Sequence, residues 1–159
     1  MSNVMWVGLS AQLATDNSAL PPFSDNTPSG AFISEAEQSL PQLTFLRTNL
    51  VSFAPVDTGG KLRYPTHQEC KDAFPTLLSH IQTANPSLVF LLGKQVSTFV
   101  LNMYEIPYSH IDLKILQSYQ LKNTTFVPMY HPSYIMIYKR KDKTNYINRI
   151  VQKIIEHVW

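Results

Sequence analysis

A single cysteine, Cys70, among 159 residues excludes an internal disulfide and any iron-sulfur or zinc site drawing several thiolates from this chain. Histidines would then have to carry a metal. His67, His80, His110, His131 and His157 lack the close two-histidine spacing of a metalloenzyme helix, so neither a metal nor another cofactor is expected. Long apolar runs are missing too: Leu88 to Leu92 falls far short of the ~20 residues that cross a bilayer. Met1-Ser2-Asn3 lacks the basic and then apolar regions of a secretory signal, so the expectation is a cytoplasmic protein with no membrane partner. Charge of one sign is also scarce. Thirteen Lys and Arg face 11 Asp and Glu, and a net charge of +2 does not by itself announce a nucleic-acid partner.

What is present is an ordinary globular composition, 44% hydrophobic and 15% charged, at a length suited to one domain over residues 1–159. The basic residues are unevenly placed. Lys139, Arg140, Lys141, Lys143, Arg149 and Lys153 put six of the 13 near the end of the chain, facing only Asp142 and Glu156 there.

Val4-Met5-Trp6-Val7 ending at Gly8 reads as a buried strand arriving at a turn. Residues 13–29 are small, polar and proline-containing around an isolated Phe23, which suits a long surface loop. Ser29 or Gly30 then caps a helix to about Ser39, and Thr44 to Val51 reads as a second strand. Thr66 and Glu69 are spaced to cap a helix reciprocally, and its stripe of Cys70, Ala73, Phe74, Leu77, Leu78 and Ile81 ends at Asn85-Pro86, with Pro75 as a blemish. Leu88 to Leu92 is a third strand buried on both faces, and Gly93 turns into a helix carrying Val96, Phe99, Val100 and Met103. Residues 106–123 are irregular, with a short strand near Ile115. Thr124 to Tyr130 is the fourth main strand, and Lys143 to Val158 closes the chain as an amphipathic helix. Alternating strands and helices imply an α/β fold: a three-layer α/β/α sandwich around a central, mainly parallel four-stranded sheet, with its ligand crevice beyond the strand carboxyl ends.

Each main strand ends in small or polar residues: Gly8-Leu9-Ser10-Ala11, Thr48-Asn49, Gly93-Lys94 and His131-Pro132-Ser133. Asn49 offers an acceptor and two donors, His131 donates or accepts, and Phe23 provides a flat face, a set that suits a planar heterocycle such as a nucleobase.

The string Asn85-Pro86-Ser87-Leu88-Val89-Phe90-Leu91-Leu92-Gly93, followed by Phe126-Val127-Pro128-Met129-Tyr130-His131-Pro132-Ser133-Tyr134, resembles the second half of the uracil-DNA glycosylase superfamily, family 4 above all. Thr48-Asn49-Leu50-Val51 with Pro55, and Tyr64-Pro65 before the capped helix, resemble that family's Asn-containing strand and Pro-rich segment. The resemblance implies a DNA partner, uracil-containing or otherwise modified, single- or double-stranded. It implies a base site made of Gly8, Leu9, Phe23 and Asn49, with Phe23 stacking on the flipped base and Asn49 reading its edge. His131 would stabilise the leaving base as the N-glycosidic bond breaks. Ser133 would touch a phosphate, Tyr134 and Ile135 would fill the space the nucleotide vacates, and Lys139, Arg140 and Lys141 would lie near the DNA backbone.

Two departures qualify what is implied. Active members carry a carboxylate or amide just after the first strand, where this chain has Leu9 and Ser10. A serine hydroxyl positions water weakly, and Asp16 or Asp25 in the following loop could replace the acid by folding inward. The family-4 iron-sulfur cluster is expected to be missing: its first two ligands lie upstream of the first strand, the third falls on Phe53 and the fourth near Ala73, with Cys70 off register. Phe53 is expected to pack the loop instead. Three readings follow: a monofunctional DNA glycosylase acting in base excision repair, a catalytically weak or inactive binder of modified nucleic acid, and a hydrolase or transferase for free nucleosides or nucleotides.

Overall fold

A computed structural model describes residues 3–158, so the reading of Met1-Ser2 as part of a non-secretory start lies outside the described residues. The chain runs β1 (Asn3–Ser10), α1 (Pro28–Gln38), β2 (Thr44–Val51), α2 (His67–Ala84), β3 (Leu88–Leu92), α3 (Lys94–Met103), β4 (Tyr119–Leu121), β5 (Thr124–Met129), α4 (Pro132–Tyr138) and α5 (Lys143–Val158). One sheet has the order β2-β1-β3-β5-β4, and every neighbouring pair is parallel except β4 with β5.

Strand side chains alternate between faces, which divides the core in two. Val4, Trp6, Leu88, Phe90, Leu92, Val127 and Met129 face α1, α4 and α5, against Phe32, Ile33, Ile135, Ile147, Ile150 and Ile154. Met5, Val7, Val89, Leu91 and Phe126 face α2 and α3, against Cys70, Phe74, Leu77, Ile81, Val96 and Phe99. Three layers follow directly from β3 being buried along its whole length.

The sheet differs from expectation by one strand. β4 pairs antiparallel with β5 through a tight turn at Lys122-Asn123, with Lys122 left-handed at φ 57°. It lies beyond Ile115, which is 53% exposed and outside any strand. α1 is capped by Thr27 rather than by Ser29 or Gly30: the Thr27 hydroxyl accepts from the Gly30 N–H at 3.0 Å, and Pro28 takes a first-turn position that needs no donor. On α3 the buried stripe is Val96, Phe99, Val100 and Leu101, whereas Met103 is 44% exposed. The α2 capping box forms as read, and Asn85 ends that helix in the left-handed region. Pro75 sits on the exposed side of α2, and the helix continues through it.

β1 sits between β2 and β3, with the crossover helix α1 on one face and α2 on the other. That reversal opens a crevice beyond the strand carboxyl ends.

Candidate base-binding site

The crevice is an open cleft of about 1270 Å³. Leu9 and Ser10 line it from β1, Asn49 from β2, Leu92 from β3, Gly93 from the turn after it, and Tyr130 and His131 from the segment after β5. Phe23 lines it from the loop between β1 and α1. Parallel register sets Gly8 beside Asn49 on the neighbouring strand.

Three of the side chains expected to meet do so. A Cβ placed on Gly8 would lie 2.5 Å from Phe23 Cζ and 2.6 Å from Asn49 Oδ1, so Gly8 is the gap into which both side chains pack. The Phe23 and His131 rings lie 6.2 Å apart between centroids, tilted by 45°. Gly93 has φ +105°, and its missing Cβ would sit 3.2 Å from His131 Cβ. Gly8→Ala is therefore expected to cost about 1–3 kcal/mol by overpacking. It should also displace Phe23 or Asn49, so a thermal melt and an oligonucleotide binding assay on the same protein should both register the change.

His131 caps α4, and its Nδ1 accepts from the Ser133 N–H at 3.1 Å. An Nδ1 receiving an N–H carries no proton of its own, so the Ser133 hydroxyl, 2.7 Å away, donates to it as well. The ring proton is then on Nε2. Burial lowers the His131 pKa below the ordinary 6.5, which keeps the ring neutral with one fixed donor. Tyr146 braces this corner: its hydroxyl accepts from the Tyr130 N–H at 2.9 Å and donates to the Leu113 carbonyl at 2.8 Å.

The other expected residues divide between the cleft and its surroundings. Ser133 lines the cleft, with its N–H donating to His131 Nδ1 and its hydroxyl 2.7 Å from the same nitrogen, which makes it a support for that ring. Ile135 is 1% exposed and packs in the core, so it does not enter a DNA stack; Tyr134, Ile137 and Tyr138 line the cleft instead, the last two about 70% exposed. The rings of Tyr130, Tyr134 and Tyr138 form a ladder with centroid steps of 4.8 and 5.2 Å. Lys139 caps the end of α4, and Arg140 and Lys141 form an exposed turn after it, outside the main cleft lining.

Neither loop acid turns inward. The Asp16 carboxylate accepts from the Ser18 hydroxyl and N–H, which lowers its pKa, and it is not among the lining residues. Asp25 accepts from the Ser34 hydroxyl and from Arg47. Among the described residues no carboxylate lines the cleft, whose charged side chains are Arg63 and Lys94. The residues do not fit a family-4 iron-sulfur cluster: Cys70 is 5% exposed in the core, and Phe53, expected to pack, is 48% exposed.

Sequence reasoning missed Arg47, on β2. Its Nη1 donates to the Phe23 carbonyl at 2.6 Å and to Asp25 at 2.7 Å, Nη2 to Ser34 at 2.9 Å and Glu37 at 2.9 Å, and Nε to Glu37 at 3.2 Å. Burial works against its charge, but the Glu37 and Asp25 hydrogen bonds outweigh it and raise the pKa. The available signal was one charged residue in the middle of a strand pattern.

The model of the uracil DNA glycosylase superfamily matches residues 2–155. Among solved structures, wild-type SMUG2 from Pedobacter heparinus superposes with a TM-score of 0.59 at 16% identity, covering 98% of this chain and 75% of that one. At that identity the likeness speaks for the fold. No curated protein sequence matches.

Proposed function

Because this chain belongs to the uracil DNA glycosylase superfamily, we propose that it binds DNA, takes a flipped uracil or related altered base into the cleft and hydrolyses its N-glycosidic bond. One observation carries this reading: a neutral His131 with its proton on Nε2 shares a cleft with Phe23 and Asn49. Phe23 stacks on the base and Asn49 pairs with its polar edge. As the bond between C1′ and the base nitrogen breaks, its electron pair passes to the base, and Nε2–H donates to the carbonyl oxygen where that charge collects. Water adds to C1′ and releases a proton to solvent. In this reading Ser10, which lines the cleft from the end of β1, orients that water.

The lack of a lining carboxylate among the described residues favours a second reading, a binder of altered bases with little hydrolysis. Incubation with oligonucleotides bearing uracil and other deaminated bases decides between the two. Release by the wild type, lost in Asn49→Ala, supports the enzyme; salt-sensitive binding with no release from any substrate overturns it in favour of the binder. If Lys139, Arg140 and Lys141 contact phosphates, changing all three to Gln should weaken binding across sequences and flatten its salt dependence, measured by anisotropy at several salt concentrations.

The pH profile gives a further check. The folded-state pKa of His131 is depressed, so the ring stays neutral as pH falls through 6.5, and base release should show no inflection there. Stability moves earlier: the unfolded chain takes up the proton first, so this histidine erodes stability as pH falls from 6.5 toward its folded value.

A further inference from the structure

The loop from β1 to α1 carries Phe23 in a backbone conformation that a phenylalanine rarely adopts, φ +50°. Such a residue persists only where its surroundings over-determine it. Arg47 reaches the Phe23 carbonyl at 2.6 Å from the second strand, and the same guanidinium is gripped by Asp25, Ser34 and Glu37. Its side chain is 19% exposed and that of Glu37 is 20% exposed, so the grip is partly shielded from water. Trp6 Nε1 donates to Glu37 at 3.0 Å, which ties the carboxylate to the core. Just beyond, Thr27 donates both its hydroxyl and its N–H to the Ser24 carbonyl, and a Cβ on Gly30 would lie 2.0 Å from that same oxygen. The loop is thus pressed onto the start of α1 on one side and hung from Arg47 on the other.

We propose that Arg47 is a positioning residue for base recognition: by holding the Phe23 carbonyl it fixes the left-handed turn that aims the Phe23 ring into the cleft beside His131. The inference rests on the reading of Phe23 as the base-stacking residue. The planar fork matters more than the charge, because carbonyl, hydroxyl and two carboxylates are met at once by nitrogens held in one plane. Lysine has the charge without the fork.

The test compares affinity for two labelled oligonucleotides, one holding a 2′-fluorinated uracil nucleotide that resists hydrolysis and the other an abasic site at that position. The ratio of the two dissociation constants isolates the contribution of the base and does not depend on how much of a preparation is folded. In the wild type it should be roughly tenfold, the scale of one base stacked on an aromatic ring. Phe23→Ala should lower it several-fold, to what the polar contacts of Asn49 and His131 contribute, and Arg47→Met should do the same. Combining the two should lower it no further, since both act through one ring. Arg47→Lys should stay near the Met variant and serves in its place if that protein does not fold. A base-dependent ratio that Phe23→Ala lowers but both Arg47 variants retain in full overturns the inference, whatever their melting temperatures. A wild type with no base-dependent ratio overturns the Phe23 reading itself.

Discussion

Alanine at position 131 is expected to slow base release about 100- to 1000-fold, the scale on which one donor to a developing anion counts. Single-turnover measurement on a uracil oligonucleotide reads this directly, because it follows bond cleavage without product release. The cause lies in the pair of nitrogens. Nδ1 is engaged by the Ser133 N–H, and Nε2 is left as the donor. Removing the ring also uncaps α4, at about 1 kcal/mol. That penalty is small enough for the variant to remain folded, so rate and melting temperature separate. A His131→Ala protein that releases base at the wild-type rate would remove this residue from the mechanism.

Trp6→Ala is expected to be the most damaging core substitution, costing about 3–5 kcal/mol. The ring is 0% exposed and stacked on Phe90 at 4.7 Å between centroids, with Phe45 at 6.2 Å. Its loss opens a void no neighbour refills and takes away the donor to Glu37. A melt should show a fall of roughly 10 °C or more, by the 2–4 °C per kcal/mol usual for this size. Trp6→Phe keeps most of the stacking area but not the N–H, and should cost about 1–2 kcal/mol. Should Trp6→Ala melt within a few degrees of the wild type, the core is not organised around this residue.

The main strands and the closing helix were legible because their apolar spacing is periodic. Leu88 to Leu92 is apolar at every position, as burial on both faces requires, and the Ile147, Ile150 and Ile154 stripe keeps helical spacing. The strand ends predicted which residues meet, since parallel register carries Gly8, Asn49, Gly93 and His131 to one end of the sheet. Tyr119, Gln120 and Leu121 were too few to show a period of two, and the apolar Ile115 drew attention to the wrong stretch. The partners of Arg47 lie 10, 13, 22 and 24 residues away, beyond the reach of any local pattern. Asp16 failed as a substitute acid for a local reason: Ser18, two residues on, satisfies its carboxylate.

β2 lies at one end of the sheet and β4 at the other. An outermost strand offers unpaired backbone groups to any passing chain, and its hazard grows with length and apolar character. β4 is only three residues long and is followed at once by Lys122. β2 has eight residues, but Arg47 stands in its middle, tied by its guanidinium to α1 and the preceding loop. A charge in the middle of the longer outer strand interrupts its apolar pattern and makes it a poorer template for a foreign strand.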